Sequence, residues 1–165
     1  MKTSFTVKKL DEINLKDFNV ILKDYKKDIS KMLEIMLGLK EIKTSGIFNF
    51  DISKIRFDIA FCLDSTIREI NKTYRNKDSA TDVITFSLFA DDDNAIIIRK
   101  TADLGQIIVS LETASKQAKE NNNTFKKEVL TLICHGILHL LGFDHLTKLD
   151  YDFVVATQNK VISEL

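Results

Sequence analysis

The three histidines of the chain lie within the segment 135–145, and this cluster constrains the fold more than any other feature of the sequence. His135 and His139 are at positions i and i+4, so on an α-helix they share one face and are separated by about 6 Å along the axis. Gly142 permits the left-handed backbone that ends helices, and a chain that reverses there brings His145 back towards the other two. The spacing therefore predicts a metal site at the end of a helix.

The chemistry of such a site depends on how many coordination positions of the metal ion the protein leaves free. Three neutral imidazoles on one divalent ion leave the fourth tetrahedral position for water, which is typical of catalytic rather than structural zinc sites. Zinc lowers the pKa of its water to about 7 and polarises carbonyl or phosphoryl oxygens, so the cluster indicates metal-assisted hydrolysis. We expect one Zn²⁺; nickel, cobalt and copper also accept three histidines. The alternative is that the histidines are surface or core residues satisfied by their neighbours.

The spacing of His135 and His139 is shared with the zinc peptidase pattern His-Glu-x-x-His, in which the glutamate is the general base. Here Gly136 occupies the glutamate position. Without a residue that takes the proton of the attacking water, peptide hydrolysis is disfavoured. Two carboxylates remain open to two interpretations: Asp144 and Asp82 are either turn residues or carboxylates of the site.

The composition is that of an ordinary globular protein, with 44% hydrophobic and 29% charged side chains in 165 residues. This length fits a single domain over 1–165 that buries a core without disulfides. Basic and acidic side chains number 24 each, so the net charge does not indicate a nucleic-acid binder. A local basic patch around a predicted loop with Lys72, Arg75 and Lys77 is one alternative, and solvated surface side chains are the other.

Apolar stretches, the first residues and the cysteines indicate the cellular compartment. No stretch reaches the roughly 20 apolar residues of a membrane span, and the first residues lack the apolar run of a signal peptide, so we expect a cytoplasmic protein with no membrane partner. Cys62 and Cys134 lie in apolar segments, where a free thiol behaves as a small hydrophobe. Cys134 precedes His135, but adjacent residues on a helix point about 100° apart, which disfavours a shared metal ion.

Hydrophobic periodicity predicts the order of the secondary structure. Alternating and β-branched runs predict strands at 55–61, 82–88 and 104–109. Amphipathic runs and caps predict helices at 15–37, 64–70, 124–142 and 148–165, and a further helix that begins with the run 110–118 and ends around 121–123. An acidic loop at 91–94 separates two of the strands. This mixed order predicts an α/β or α+β fold in which a small mixed sheet of about four strands packs against about five helices.

The histidine block resembles the signature of a known family. His-Gly-Ile-Leu-His-Leu-Leu-Gly-Phe-Asp-His at 135–145 is similar to that of the YbeY family of bacterial single-strand-specific endoribonucleases. Other blocks agree with the family in order and spacing: Asn-Lys-Thr-Tyr-Arg at 71–75, Thr-Asp-Val-Ile-Thr-Phe at 81–86, and Leu-Gly-Gln-Ile at 104–107. The resemblance covers about residues 55–160, most of the chain.

The resemblance implies roles for individual residues. His135, His139 and His145 would be the zinc ligands, His135 would be needed for catalysis, and Arg75 would be the basic residue needed for activity. A guanidinium can hold a phosphate through two hydrogen bonds and stabilise charge on a phosphoryl group, whereas without the matched block Arg75 would be interpreted as part of a surface salt bridge.

The function implied by the resemblance is zinc-dependent cleavage of single-stranded RNA. It would act in 3′ end maturation of small-subunit ribosomal RNA and in ribosome quality control, with ribosomal RNA and ribosomal subunits as partners. One alternative is a non-catalytic, metal-containing ribosome-assembly factor. Another is a metal-dependent hydrolase of a different substrate.

The sequence also departs from the family pattern. Gln106 replaces an aspartate, Thr85 replaces a serine, and no proline follows Phe86. Gln106 can form hydrogen bonds but carries no charge, which puts in doubt any role of that aspartate in tuning the site or ordering the sheet. The first ~50 residues match the family only as a generic N-terminal segment that contains a helix, where substitution is commonly tolerated.

Overall fold

The computed structural model describes residues 1–18, 20–89 and 97–165. Over these ranges the chain forms a five-stranded mixed sheet and five α-helices. The strands are β1 (Lys2–Lys9), β2 (Lys54–Cys62), β3 (Val83–Ser87), β4 (Ile97–Ile98) and β5 (Thr101–Ser110). The helices are α1 (Leu22–Gly38), α2 (Asp64–Arg75), α3 (Leu111–Glu120), α4 (Phe125–Leu140) and α5 (Lys148–Ser163). This architecture confirms the predicted fold class.

The sheet combines parallel and antiparallel pairing. Its order is β1-β2-β5-β3, and β4 pairs with the beginning of β5. β1, β2 and β5 are parallel to one another, whereas β3 runs antiparallel to β5. Parallel neighbours require long crossover connections, and the segment with α1 supplies the one between β1 and β2. In the described part of the chain, β3 is an edge strand.

Both faces of the sheet are covered, as central parallel strands require. On one face, α1 and α4 pack against the sheet and α5 packs against these two helices. The fully buried side chains there include Ile29, Phe57 and Ile133. On the other face, a smaller apolar cluster joins Ile67 of α2 to Ile84 and Ile108. None of the described helices is both long and apolar enough to cross a membrane.

The helix that carries two of the histidines begins and ends close to its predicted bounds. The hydroxyl of Thr124 accepts a hydrogen bond from the backbone N–H of Lys127 at 3.2 Å and caps the N-terminus of α4. Gly142 has φ +85°, in the left-handed region. Its N–H donates to His139 O at 2.9 Å, and the N–H of Phe143 donates to Leu138 O at 3.0 Å. These two bonds form a Schellman motif, which reverses the chain after α4.

Several elements differ from the prediction. The expected helix over 15–37 is a 3₁₀ turn, Leu15–Phe18, followed by α1. Helix α2 continues past residue 70, so Lys72 and Arg75 lie on its last turn and not in a loop. Strands β1 and β4 were not predicted, which accounts for a sheet larger than the expected four strands. The acidic loop at 91–94 lies outside the described residues.

The start of α2 shows how a distant segment can cap a helix. Asp64, expected to begin the cap, is the first helical residue, and its carboxylate accepts hydrogen bonds from the hydroxyls of Ser110 and Thr113. The carboxylate of Asp11 accepts instead from the N–H of Leu63 at 2.7 Å and from a threonine hydroxyl in the first turn. Because an external carboxylate binds the free N–H, α2 begins without a cap from its own sequence.

Candidate metal centre

The three histidines converge at the C-terminal end of α4. His135 and His139 lie one turn apart on the helix, and His145 follows the Schellman turn. Nε2 of His135 and Nε2 of His139 are 3.0 Å apart, and one ligand nitrogen from each of the three rings lies within 4.8 Å of the others. Tetrahedral zinc with Zn–N bonds of about 2.1 Å separates its ligand nitrogens by about 3.4 Å. Donor type and spacing therefore fit one divalent ion.

Burial keeps two of the imidazoles neutral. It is the largest cause that lowers the pKa of His135, followed by the charge of His145. Burial also lowers the pKa of His139 to about 4, with further contributions from His135 and His145. A metal ion requires unprotonated imidazole nitrogens, so at neutral pH both side chains are in the form that binds a metal.

A side chain from α5 orients His135. The amide oxygen Oε1 of Gln158 lies 3.2 Å from Nδ1 of His135. An amide oxygen can only accept, so Nδ1 carries the hydrogen and Nε2, the atom near His139, keeps its lone pair. Gln158 could not be identified from the sequence, because nothing in the sequence of α5 indicates that this helix packs beside α4.

The two carboxylates left open by the sequence both line the site. Oδ1 of Asp144 accepts from the N–H of His145 at 2.8 Å, and it lies 3.8 Å from Nδ1 of His139, too far for a direct hydrogen bond. Asp82 accepts from the N–H of Val83 at 2.7 Å and from the Gln117 amide at 3.0 Å. Each carboxylate thus has a turn or strand-entry role, and each adds negative charge near the histidines.

The histidines open into a cleft of about 880 Å³. Arg75 lines the same cleft from the last turn of α2, and its Nη2 donates to the carbonyl oxygen of Thr85 on β3 at 3.4 Å. The charge of Arg75 also contributes to the lowered pKa of His139, after burial and the other two histidines. The fold thus brings together the histidines and Arg75, which are 60 residues or more apart in the sequence. The wall of the cleft also includes Asn49, Phe50, Asp82, Phe89 and Asp144.

Gly136, which stands at the peptidase glutamate position, faces the sheet. A Cβ atom there would lie 2.8 Å from Cγ2 of Ile107 on β5. The helix therefore approaches β5 too closely for any side chain at this position, and a glutamate could not occupy it. The absence of the peptidase base follows from the packing of α4.

Two further residues of the sequence analysis lie away from the cleft. Cys134 is fully buried, and burial raises the pKa of its thiol to about 12, so it does not join the histidine cluster. Gln106 pairs in register with Phe86, on the face of β5 shared with Ile108 and not with Ile107. The neighbouring Gly105 has φ +113°, and a Cβ there would overlap the carbonyl oxygen of Phe86. Glycine is therefore required at this irregular point of β5.

The fold and the cleft define a mixed α/β protein with a three-histidine site suited to a divalent ion. The family model described as Endoribonuclease YbeY matches residues 12–165, and the chain belongs to this family. This match confirms the resemblance carried by the motif blocks. It also includes most of the N-terminal segment, where the motifs gave only a generic likeness.

Individual relatives agree with this assignment. Endoribonuclease YbeY of Finegoldia magna is 38% identical over 138 residues, which cover 84% of this chain and 81% of the relative. Endoribonuclease YbeY of Bacillus pumilus is 32% identical over 148 residues, which cover 87% of each chain. The solution structure of a Thermotoga maritima protein superposes with a TM-score of 0.60 at 25% identity, over 98% of this chain and 88% of that chain.

Proposed function

We propose that this protein is a zinc-dependent endoribonuclease that cleaves single-stranded RNA. His135, His139 and His145 bind the zinc ion, and Arg75 binds the phosphate next to the cleaved bond. The observation that carries the proposal is that the three histidines and the Arg75 guanidinium line one open cleft. Family membership supports the same reaction, because the curated relatives are named endoribonucleases.

The groups of the cleft have different roles in the proposed reaction. A bound zinc ion supplies Lewis-acid polarisation of a phosphoryl oxygen. Arg75 offers several N–H donors on one guanidinium, and its hydrogen bond to Thr85 leaves others for a phosphate. Gln158 fixes the hydrogen of His135 on Nδ1 and so leaves the Nε2 lone pair free to hold a metal ion. Together these groups bind and neutralise a phosphodiester group.

A peptide substrate is disfavoured by the packing at Gly136. A His-Glu-x-x-His peptidase needs its glutamate beside the metal, and Ile107 leaves no space for that side chain. A phosphodiester carries its own negative charge, which suits a cleft that contains a guanidinium and a cation site. RNA is therefore the better substrate class for this cleft.

The biological part of the proposal follows from family membership. We assign the activity to 3′ end maturation of small-subunit ribosomal RNA and to ribosome quality control, in the cytoplasm. The partners would be ribosomal RNA and ribosomal subunits. A matching prediction is that the purified protein cleaves the unpaired 3′ segment of precursor RNA within a small subunit.

The test combines metal analysis with RNA cleavage. The purified protein should contain one zinc ion per chain and cleave a single-stranded RNA oligonucleotide but not a matched duplex. Chelation should abolish cleavage, and added zinc should restore it. Replacement of His135 or Arg75 by alanine should abolish cleavage in protein that remains folded by circular dichroism.

A matched control uses the second arginine of α2. Arg68 binds Asp78 at 2.6 Å and does not line the cleft, so Arg68→Ala should leave cleavage unchanged. Full activity of His135→Ala or Arg75→Ala would contradict the proposal. Binding to ribosomal subunits without cleavage above the His135→Ala background would indicate an assembly factor, and hydrolysis of casein would indicate a peptidase.

A further inference from the structure

One wall of the cleft is aromatic, and the rest of its lining mixes polar and apolar side chains. Phe50 and Phe89 both line it, with ring centroids 6.4 Å apart and ring planes at 88°. Phe50 remains 42% exposed. A large apolar side chain that stays accessible inside a cleft offers contact area to a bound ligand.

Phe89 is held in place by two glycines. A Cβ at Gly46 would lie 3.3 Å from the ring of Phe89, and a Cβ at Gly142 would lie at the same distance, 3.3 Å. The ring therefore fills the space that the two missing side chains leave open, and it also packs against the main core. Phe50 therefore packs against the ring of Phe89, which its own neighbours hold in one position.

The backbone that carries Phe50 is tied to the helix that carries the histidines. The buried hydroxyl of Ser45 donates to the carbonyl oxygen of Leu141 at 2.5 Å, directly after α4. Ile47 is fully buried, and the N–H of Phe50 donates to its carbonyl oxygen at 3.3 Å. The position of Phe50 relative to His135 and His139 is therefore built into the fold.

Polar groups complete a site for a nucleotide. Asn49, next to Phe50, lines the cleft and offers both a donor and an acceptor, as the edge of a base requires. Arg75 supplies a cation for a phosphate in the same cleft. The cleft volume of about 880 Å³ lies within the range of about 300–1,000 Å³ that is usual for small-ligand sites.

We propose that Phe50 is the stacking platform for one unpaired nucleobase of the RNA substrate, with Asn49 at the edge of that base. This proposal rests on the proposed function and adds to it a base-binding subsite beside the candidate metal centre. A base in a duplex already has its faces covered by its neighbours, whereas an unpaired base can be turned onto an aromatic wall. The subsite therefore gives a physical reason for preference for single strands.

The test compares Phe50 variants in binding and in cleavage. A fluorescently labelled single-stranded RNA is mixed rapidly with the metal-loaded protein, so that anisotropy reports binding before turnover. Stacking of one base is worth enough that Phe50→Ala should weaken binding by about 5-fold to 100-fold. Phe50→Tyr should bind within about twofold of wild type because it keeps the aromatic face, and Phe50→Leu should bind like Phe50→Ala.

Abasic substitution locates the base. In a series of RNAs that each lack one base, a single position should reproduce the loss seen with Phe50→Ala. At that position Phe50→Ala should cause no further loss, because the same contact is already absent. Ile21→Ala is the control, since Ile21 is also a large exposed apolar side chain, 60% exposed, and does not line the cleft.

The possible outcomes distinguish failure of the base-binding subsite from failure of the proposed endoribonuclease function. Equal RNA affinity of Phe50→Ala and wild type, or equal losses at every abasic position, overturns the subsite even if the protein cleaves RNA. Binding that depends on Phe50 without any cleavage overturns the endoribonuclease and leaves the subsite in place. If Phe50→Ala lost binding to an unfolded casein peptide but not to RNA, the aromatic wall would be a peptide-binding surface and the base-binding subsite would be overturned. A wild-type protein that neither binds nor cleaves RNA would overturn both the subsite and the endoribonuclease function.

Discussion

Gly136 of α4 lies directly against Ile107 of β5, where an added Cβ would be 2.8 Å from Cγ2 of the isoleucine. Glycine inside a helix is disfavoured by about 1 kcal/mol relative to alanine, so its presence here needs a compensating contact. The compensation is the close approach of α4 to the sheet. This approach fixes the depth at which α4 holds His135 and His139, and it excludes the glutamate of a zinc peptidase.

Substitution of Gly136 by alanine should destabilise the protein although alanine is the better helix former. The added methyl group overpacks the interface with Ile107, which typically costs about 1–3 kcal/mol. Urea denaturation of the purified variant gives the free energy of unfolding. In the Ile107→Ala background the added methyl group has space, so the two substitutions together should cost less than their sum.

The matched control is Gly38, at the end of α1. A Cβ there would have no atom within 4 Å, so Gly38→Ala should be neutral or stabilise the protein by about 0.4–1 kcal/mol. If Gly136→Ala were as stable as Gly38→Ala, the result would contradict the close approach of α4 to β5.

Gln158 should tune the affinity of the histidine site for its metal. Loss of a hydrogen-bond partner of a ligand histidine typically weakens metal binding about 10-fold to 100-fold, and we expect this for Gln158→Ala. Gln158→Glu should restore tight binding, because a carboxylate also accepts from Nδ1–H of His135. Competition with a chromophoric chelator measures the dissociation constant.

The neighbouring amide provides the comparison for Gln158. Asn159 is exposed and adjacent on α5, so Asn159→Ala should keep the wild-type zinc affinity. Nitrogen NMR of the imidazole rings supplies a second readout, in which wild type shows His135 protonated at Nδ1 and Gln158→Ala shows a mixture of tautomers. An unchanged zinc affinity in Gln158→Ala would rule out the positioning role.

Arg75 should be sensitive to the shape of its cation as well as to its charge. Lysine keeps the charge but lacks the planar set of N–H donors through which Arg75 bonds Thr85 and, in the proposed function, also a phosphate. We expect Arg75→Lys to lower kcat for single-stranded RNA by about tenfold or more. Arg68→Lys, on the same helix but paired with Asp78, should show wild-type kinetics. Equal rates for the two lysine variants would argue against a guanidinium-specific role.

The two cysteines should make stability depend on alkaline pH. Burial raises the pKa of both Cys62 and Cys134 to about 12 in the folded protein, against about 8.5 for an unfolded thiol. The folded state therefore holds the thiol protons more tightly than the unfolded state. The stability that the protonated thiols contribute is complete below about pH 8.5 and falls as pH rises towards about 12. The loss is on the order of 2 kcal/mol per thiol by pH 10.

Urea midpoints between pH 7 and pH 10 test the effect of the thiols. A variant with both Cys62→Ala and Cys134→Ala should lose less stability between pH 7 and pH 10 than wild type does. The comparison uses the change from each protein's own stability at pH 7. Parallel pH profiles of the two proteins would show that the thiols ionise freely in the folded state.

Features with local signals were predicted well. The N-cap at Thr124 and the left-handed Gly142 both depend on hydrogen bonds within a few residues, and both are found in the structure. Strand β1 was missed because it is an exposed strand at the end of the sheet with one buried residue, Val7. The end of α2 was also missed, since the polar residues 71–75 show no hydrophobic period and the helix stops only at Asn76, whose φ is 56°.

The sequence by itself determined the histidine cluster. His135, His139 and His145 are close in the chain, so helix geometry and one glycine are enough to bring them together. Only the tertiary structure decided what surrounds them: Arg75 reaches the cleft from α2, Phe50 from the N-terminal segment and Gln158 from α5. These contacts join residues that are distant in sequence, and they depend on how helices pack against the sheet. Local periodicity carries no information on such packing, whereas burial of the shared core fixes it.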